Sequence, residues 1–341
     1  MASEMSTLLR PRIAAGLLLA SAVASCQVIS GLEDIEISGA GADAGGSPAV
    51  STGGLGGSNG VGGAEGAGGA GGTGGTGNVV CEEGFLDRNR DAADGCEYKA
   101  TIPTPGLALW LSADFDVHEA PAGGVERWLD QSSRRNDFGQ NFPNNRPSLL
   151  PTGLNGNPAV FFGGDGSGDR LQSAPFLFVG NFSAGFTFSG VVRRDAPGNR
   201  DTIIDMVVSG GEHDGKNIYM SQRNELNDMW FGSEPFPVSN VTVSDAGLYT
   251  EGVAHLVTIV VAPGKLRFRF DGVEAATVEE TIPILPPSEQ LSAMLGANIA
   301  EQTETFHAGL MAELIIYERA LDDGELSLVE QTLQDKWECC N

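Results

Sequence analysis

Carboxylates, histidines and cysteines are the groups in this chain whose types and spacing could do chemistry. Asp201 and Asp205 stand four apart in "DTIIDM", and Glu313 and Glu318 five apart in "ELIIYE". Paired carboxylates can divide general acid and general base work between them. A regular strand puts residues four apart on one face but ~13 Å from each other. A glycosidase pair needs roughly 5–10 Å. Residues five apart point to opposite faces. Solvated charges at strand ends account for all four. His118, His213, His255 and His307 are dispersed, and none has a partner at metal-ligand spacing. The string "GDGSGD" misses the spacing of a nucleophile elbow. The expectation is a protein with no catalytic residues, and hence no enzyme.

The five cysteines need a compartment before they can be read. Arg10 and Arg12 give a positive start, Ile13 to Val23 form a short apolar run, and Ala24 and Ser25 lead to Cys26. A membrane-spanning helix needs ~20 apolar residues, so this run is too short to span. The pattern is that of a secretory signal. The residues "VASC" (Val23 to Cys26) resemble a bacterial lipobox. That resemblance implies a signal at residues 1–25 and a lipidated Cys26 that tethers the chain to a membrane. Gln27 follows the cysteine where an aspartate would favour the inner membrane of a Gram-negative bacterium, which by the same resemblance favours the outer membrane. The alternative is an ordinary secreted protein with a cysteine near its cut.

Residues 26–78 read as a tether. About half of Gly39 to Asn78 is glycine, and such a stretch buries too little apolar area to offset its ordering entropy. A chain of ~40 Gly-rich residues has a root-mean-square span of about 35 Å, a spacer between a membrane and a domain. The formal charge of −25 is spread along the chain. It leaves no basic face to neutralise phosphates, so nucleic acid is excluded as a non-specific partner.

Residues 79–100 hold "CEEGFLDRNRDAADGCE". In an oxidising compartment the default is a disulfide between Cys81 and Cys96. Cys339 and Cys340 complete a set of four, which allows three connectivities. Adjacent cysteines rarely pair, and a bond from Cys81 or Cys96 to the carboxy terminus is the competing arrangement. Asp87, Asn89 and Asp91, with Asp94, also carry D-x-N-x-D spacing that suits calcium. Against a full EF-hand loop, Ala92 stands where glycine is needed and Tyr98 where a bidentate glutamate is needed. The segment resembles short "C…GF…D…GCE" modules of bacterial surface proteins, which often carry a third cysteine where this chain has Arg88.

Residues 101–341 read as one large domain of short strands. "LALWLSA", "VERWLD", "AVFFG", "FTFSGVVRR", "TIIDMVVS", "KNIYMS" and "NDMWFG" are strand-like. In "HLVTIVVAPGKLRFRFDGVEAATV" two strands flank Pro263-Gly264, and Asp271-Gly272 signals a hairpin. Leu266, Phe268 and Phe270 alternate with Lys265, Arg267 and Arg269, which gives that strand one buried and one wet face. Helical period enters only at the end. There Asp322 and Glu325 form a capping box, Leu321 can staple onto Leu326, and Leu326, Val329, Leu333 and Trp337 fall on one face. Many short strands with one helix mean an all-β antiparallel sandwich.

The order of these elements resembles the concanavalin A-like, or LamG-like, jelly-roll family, over about Gly106 to Trp337. The resemblance implies a jelly-roll β-sandwich that hosts binding modules, adhesins or enzymes. Laminarinase-like enzymes of that fold carry clustered carboxylates of the type E-x-D-x-x-E, and the nearest match, "EDIEI", lies in the tether. Related jelly rolls bind ligands at loop rims, often with calcium. On that resemblance Asp165 and Asp169 in "FFGGDGSGDRLQS" are candidate ligand-binding residues, with turn capping as the other role for Asp169. Trp110, Trp128 and Trp230 could stack on sugars but sit in strand patterns that place them in the core. The expected function is display of a non-catalytic module for carbohydrate or protein binding at the cell envelope. The alternatives are a carbohydrate-active enzyme or a structural envelope protein.

Overall fold

A computed structural model describes residues from Val80 onward, apart from 92, 175–179, 181, 196–199, 209–216, 224–227, 234–240, 244–249, 280–290, 300–305 and 341. Cys26, the signal and the tether lie outside the described residues. Among the described residues the elements run β1 (Phe85–Leu86), β2 (Tyr98–Lys99), β3 (Leu107–Ser112), β4 (Val117–Glu119), β5 (Val125–Trp128), β6 (Phe138–Gly139), β7 (Ser148–Leu154), β8 (Asn157–Gly163), β9 (Leu171–Ser173) and β10 (Phe186–Arg194). They continue with β11 (Arg200–Val208), β12 (Asn217–Arg223), β13 (Asp228–Ser233), β14 (Val241–Val243), β15 (Ala254–Ala262), β16 (Lys265–Phe270), β17 (Val273–Val278), β18 (Leu291–Leu295), β19 (Ala308–Tyr317) and the helix α1 (Asp323–Trp337).

Two antiparallel sheets form the sandwich. One runs β17-β16-β15-β10-β19-β8-β7, and the other β14-β13-β12-β11-β18-β9-β6-β5-β4. The long strand β19 takes two partners on one edge: β8 beside Ala308 to Met311, and β3 beside Glu313 to Tyr317. One continuous apolar core joins the layers, with Trp128, Phe138, Phe162, Phe188 and Phe268 buried in it. The turns follow the sequence signals. Asn155 and Gly156 both take positive φ (49° and 84°) between β7 and β8, where Asn-Gly suits a two-residue hairpin.

Helix α1 starts at the expected capping box: Asp322 accepts from the Glu325 N–H at 2.9 Å, and Glu325 accepts from the Asp322 N–H. Leu326, Val329, Leu333 and Trp337 are buried on the first sheet. The helix roofs what the sequence presents as the wet face of β16. Arg269 makes a two-pronged pair with Glu330, both bonds at 2.8 Å, and Arg267 pairs with Asp323 and Glu274. At the far end the Asn155 carboxamide donates to the carbonyls of Trp337 and Glu338, which a helix terminus otherwise leaves without partners.

Disulfides join Cys81 to Cys96 and Cys339 to Cys340. The first is the expected bond. The second corrects the expectation that neighbouring cysteines avoid each other, and neither amino-terminal cysteine reaches the carboxy terminus. The physical reason is the turn after α1. Glu338 and Cys340 both take positive φ (46° and 68°), so the backbone folds back at once and Cys339 is buried against the core.

Candidate functional site

Three of the four carboxylates singled out for chemistry, Asp201, Asp205 and Glu313, are buried, not solvated. Glu313 on β19 is 2% exposed beneath α1. Its Oε1 accepts from Trp110 Nε1 at 2.5 Å, and its Oε2 accepts from Trp337 Nε1 at 2.8 Å and Lys336 Nζ at 2.7 Å. The Ser112 hydroxyl lies 3.1 Å from Oε2, and 2.5 Å from Asp114, which Lys336 also reaches at 3.0 Å. Burial pushes the Asp114 carboxyl up, but its bonds to Ser112 and Lys336 outweigh this and hold it below the usual range. Glu313 therefore fastens β3, β19 and α1 to one another. Glu318, at the strand end, pairs with Arg134.

Asp201 and Asp205 are also fully buried, and their partners differ. Asp201 lies 3.7 Å from Arg194, and Asp205 accepts the Ile299 N–H at 2.8 Å. The pairing of β11 with β12 shifts register between Thr202 and Ile204. That irregularity breaks the simple alternation from which a shared face was expected.

The Cys81–Cys96 segment is docked on the sandwich by exchanged charges. Arg90 of the segment holds Asp137 with both guanidinium ends and also the Asp130 carbonyl. In return Arg135 donates to the Asp87 carbonyl and lies 3.3 Å from the Asp87 carboxylate. Arg88 lies over the rings of Phe115 (3.6 Å) and Tyr98 (4.5 Å), a cation–π clamp between the segment and the sandwich. The candidate calcium ligands have separate duties. Asp87 faces Arg135, Asn89 bonds Asp94 and accepts the Asp91 N–H, and Asp91 accepts the Ala93 N–H. Among the described residues no group of three or more His, Cys, Asp or Glu converges to hold a metal ion. Beside this segment lies a cleft of about 470 Å³. Its Thr104 accepts the Gly84 N–H and its Arg134 is the partner of Glu318.

Two neighbouring loops among the described residues hold the remaining candidates. In one, Asp169 accepts the Gly163 N–H at 2.8 Å while its own N–H donates to Ser167, so it closes its own loop. Burial pushes this carboxyl up, against the pull of those bonds. The side chain of Asp165 lies outside the described residues. The other loop, 140–147, was not singled out by sequence reasoning. Its ends are tied to β5: Gln140 N–H donates to the Glu126 carbonyl (2.9 Å), and Val125 N–H to the Pro147 carbonyl (2.7 Å). Inside it, the Gln140 carboxamide accepts from Phe142 N–H and donates to the Arg170 carbonyl, and Arg146 Nε donates to the Gln140 carbonyl at 2.8 Å. Arg170 is tied to Asn145 by a backbone bond (3.0 Å), and its guanidinium faces the Asn145 carboxamide, whose oxygen, with the amide turned to satisfy both groups, accepts at 2.8 and 3.0 Å. Gly124 is needed beneath it, because a Cβ there would lie 2.7 Å from that of Arg146, and its φ is +78°. This framework presents Asn141, Phe142, Pro143 and Asn144 to solvent. The sequence signal was "QNFPNNRP": an aromatic among amides with no strand or helix period.

The three described histidines have separate partners. His118 faces Asp116 at 3.7 Å. His255 accepts the Thr250 N–H at Nε2, so its Nδ1 carries the proton donated to Asp271 at 2.8 Å. His307 is fully buried edge-on to Phe162. Burial lowers its pKa to about 4, beyond the opposing pull of Asp195 and nearby backbone groups. His213 and Trp230 lie outside the residues whose side chains are described, while Trp110 and Trp128 are buried as expected.

Among the described residues, two packed antiparallel sheets and one closing helix define the jelly-roll class. Residues 165–327 match the family model described as the concanavalin A-like lectin/glucanases superfamily, so a concanavalin A-like domain is present in the chain. Trypanosoma rangeli sialidase is similar over 73% of this chain and 35% of its own, at 17% identity and a TM-score of 0.44. Domain 4 of AbnA, a GH43 extracellular arabinanase from Geobacillus stearothermophilus solved with arabinotriose, is similar over 65% of this chain and 96% of its own (17% identity, TM-score 0.46). The binding domain of botulinum neurotoxin DC, solved with rat synaptotagmin II, is similar over 67% and 52% (12% identity, TM-score 0.45). The chain thus spans about a third of the sialidase. No curated protein matches it.

Proposed function

We propose that this chain displays a non-catalytic concanavalin A-like module that binds carbohydrate or protein, held off an outer membrane by a lipidated Cys26 and a glycine-rich tether. The observation that supports it best is the division of labour in the domain. Glu313, Asp201 and Asp205 are buried in structural bonds, while the braced 140–147 loop offers exposed side chains. A catalytic pair needs carboxylates open to a substrate. Fold alone does not choose between binding and catalysis.

Screening the purified chain on a glycan array, with and without calcium, tests the binding reading. Retention on a defined set of glycans is expected. Turnover of any polysaccharide by the pure protein would overturn the non-catalytic reading. The anchor is tested by feeding cells a palmitate analogue: the protein should take label, and a Cys26→Ser variant that still takes it defeats the anchor.

A further inference from the structure

We infer that loop 140–147 is a recognition loop for an uncharged polysaccharide, with the Phe142 ring stacking on a sugar face. The inference rests on the carbohydrate form of the function proposed above and assigns it a place and a ligand class. Phe142 is 63% exposed. A single exposed apolar side chain is ordinary on a protein surface. What sets this one apart is the fixed backbone that carries it. The backbone on both sides of it is fixed: its own N–H donates to Gln140 Oε1 (3.0 Å), and its carbonyl accepts from Asn145 N–H (3.0 Å). Pro143 follows directly and removes further freedom. With the backbone fixed, the ring has only its two side-chain torsions to lose when a ligand stacks on it.

The flanking chemistry narrows the ligand. The exposed carboxamides of Asn141 and Asn144 each offer donors and an acceptor, and make no hydrogen bond within the described residues. Sugars present a C–H face edged by hydroxyls, which suits a ring set between amides. No charged side chain stands between Asn141 and Asn145. The nearby guanidiniums are committed, Arg146 to Glu126 and Arg170 to the Gly168 carbonyl. The chain's net −25 further disfavours a polyanion. A neutral glycan is the ligand class that remains.

Affinity electrophoresis tests this. The full chain in detergent is run through native gels cast with dextran, laminarin, galactomannan or, as the charged case, alginate. Retardation by at least one neutral polysaccharide is expected, with affinity reduced about tenfold or more in Phe142→Ala, as for a buried aromatic anchor. Phe142→Trp should retain binding. The melting temperature of Phe142→Ala should match the parent, because the ring is exposed. Retardation unchanged in Phe142→Ala overturns the loop assignment and leaves carbohydrate binding standing elsewhere on the domain. Retardation confined to alginate does the same. A parent protein retarded by none of the four overturns the carbohydrate reading together with the loop.

Discussion

Replacing Glu313 by alanine should cost the domain about 4 kcal/mol of stability. The variant strands two indole N–H groups, on the buried side chains of Trp110 and Trp337, each about 1–3 kcal/mol when left without an acceptor. It also removes one partner of the Lys336 ammonium. Loss of a fully buried ion-pair partner costs about 3–5 kcal/mol. Here that figure must be discounted heavily, because the Lys336 side chain is 29% exposed and keeps Asp114 at 3.0 Å. Most of the expected loss therefore comes from the indoles. For a domain of this size each kcal/mol shifts the midpoint by about 2–4 °C, so melting should fall by roughly 10 °C. Urea unfolding followed by tryptophan fluorescence measures the change. Glu313→Gln, which keeps one acceptor oxygen, should lose about half as much. Lys336→Met should be less harmful in the alanine background than in the parent, by about 1 kcal/mol of coupling. A Glu313→Ala variant that loses under about 1 kcal/mol would refute the structural role.

Three further outcomes are expected. His307 is neutral in the folded domain down to about pH 4, against an ordinary value of 6.5, so the unfolded chain binds the extra proton first. Its stability contribution is complete above pH 6.5 and falls by about 3 kcal/mol as pH drops towards 4; a pH–stability profile unchanged in His307→Phe between pH 7 and 4 would contradict this. Arg88→Ala should loosen the Cys81–Cys96 segment by about 1–2 kcal/mol, since Arg88 lies over the rings of Tyr98, Trp110 and Phe115, and limited proteolysis should then cut within residues 82–95 sooner than in the parent. Asp322→Ala removes the cap of α1 and should cost about 1 kcal/mol in urea unfolding, while Asp335→Ala on the exposed side of the same helix should cost almost nothing.

Periodicity carried much of the fold. The hairpin from β15 to β17 lies where its Pro-Gly and Asp-Gly turns placed it, and α1 begins at Asp322 with its apolar stripe inward. Local pattern reports which face of an element is apolar, but not what covers the other face. Arg267 and Arg269 therefore read as a wet face, although an acidic helix edge lies over them. Glu313 read as a solvated charge because its donors, Trp110 and Trp337, come from 203 and 24 residues away. The irregularity in β11 left no trace that composition could reveal. Loop 140–147 was missed for another reason: its order comes from side-chain-to-backbone bonds made by Gln140 and Arg146 and from a backbone bond between Arg170 and Asn145, which have no period at all.

The Cys81–Cys96 bond has a mechanical meaning. A pull on the chain ahead of Val80 enters at Cys81 and can leave through Cys96, then pass by Tyr98 to β3. Residues 82–95 sit on a side branch that carries no tension. The grips of Asp87, Arg88 and Arg90 on the sandwich are therefore shielded from that force, and the small segment can stay seated while the covalent shunt is under strain.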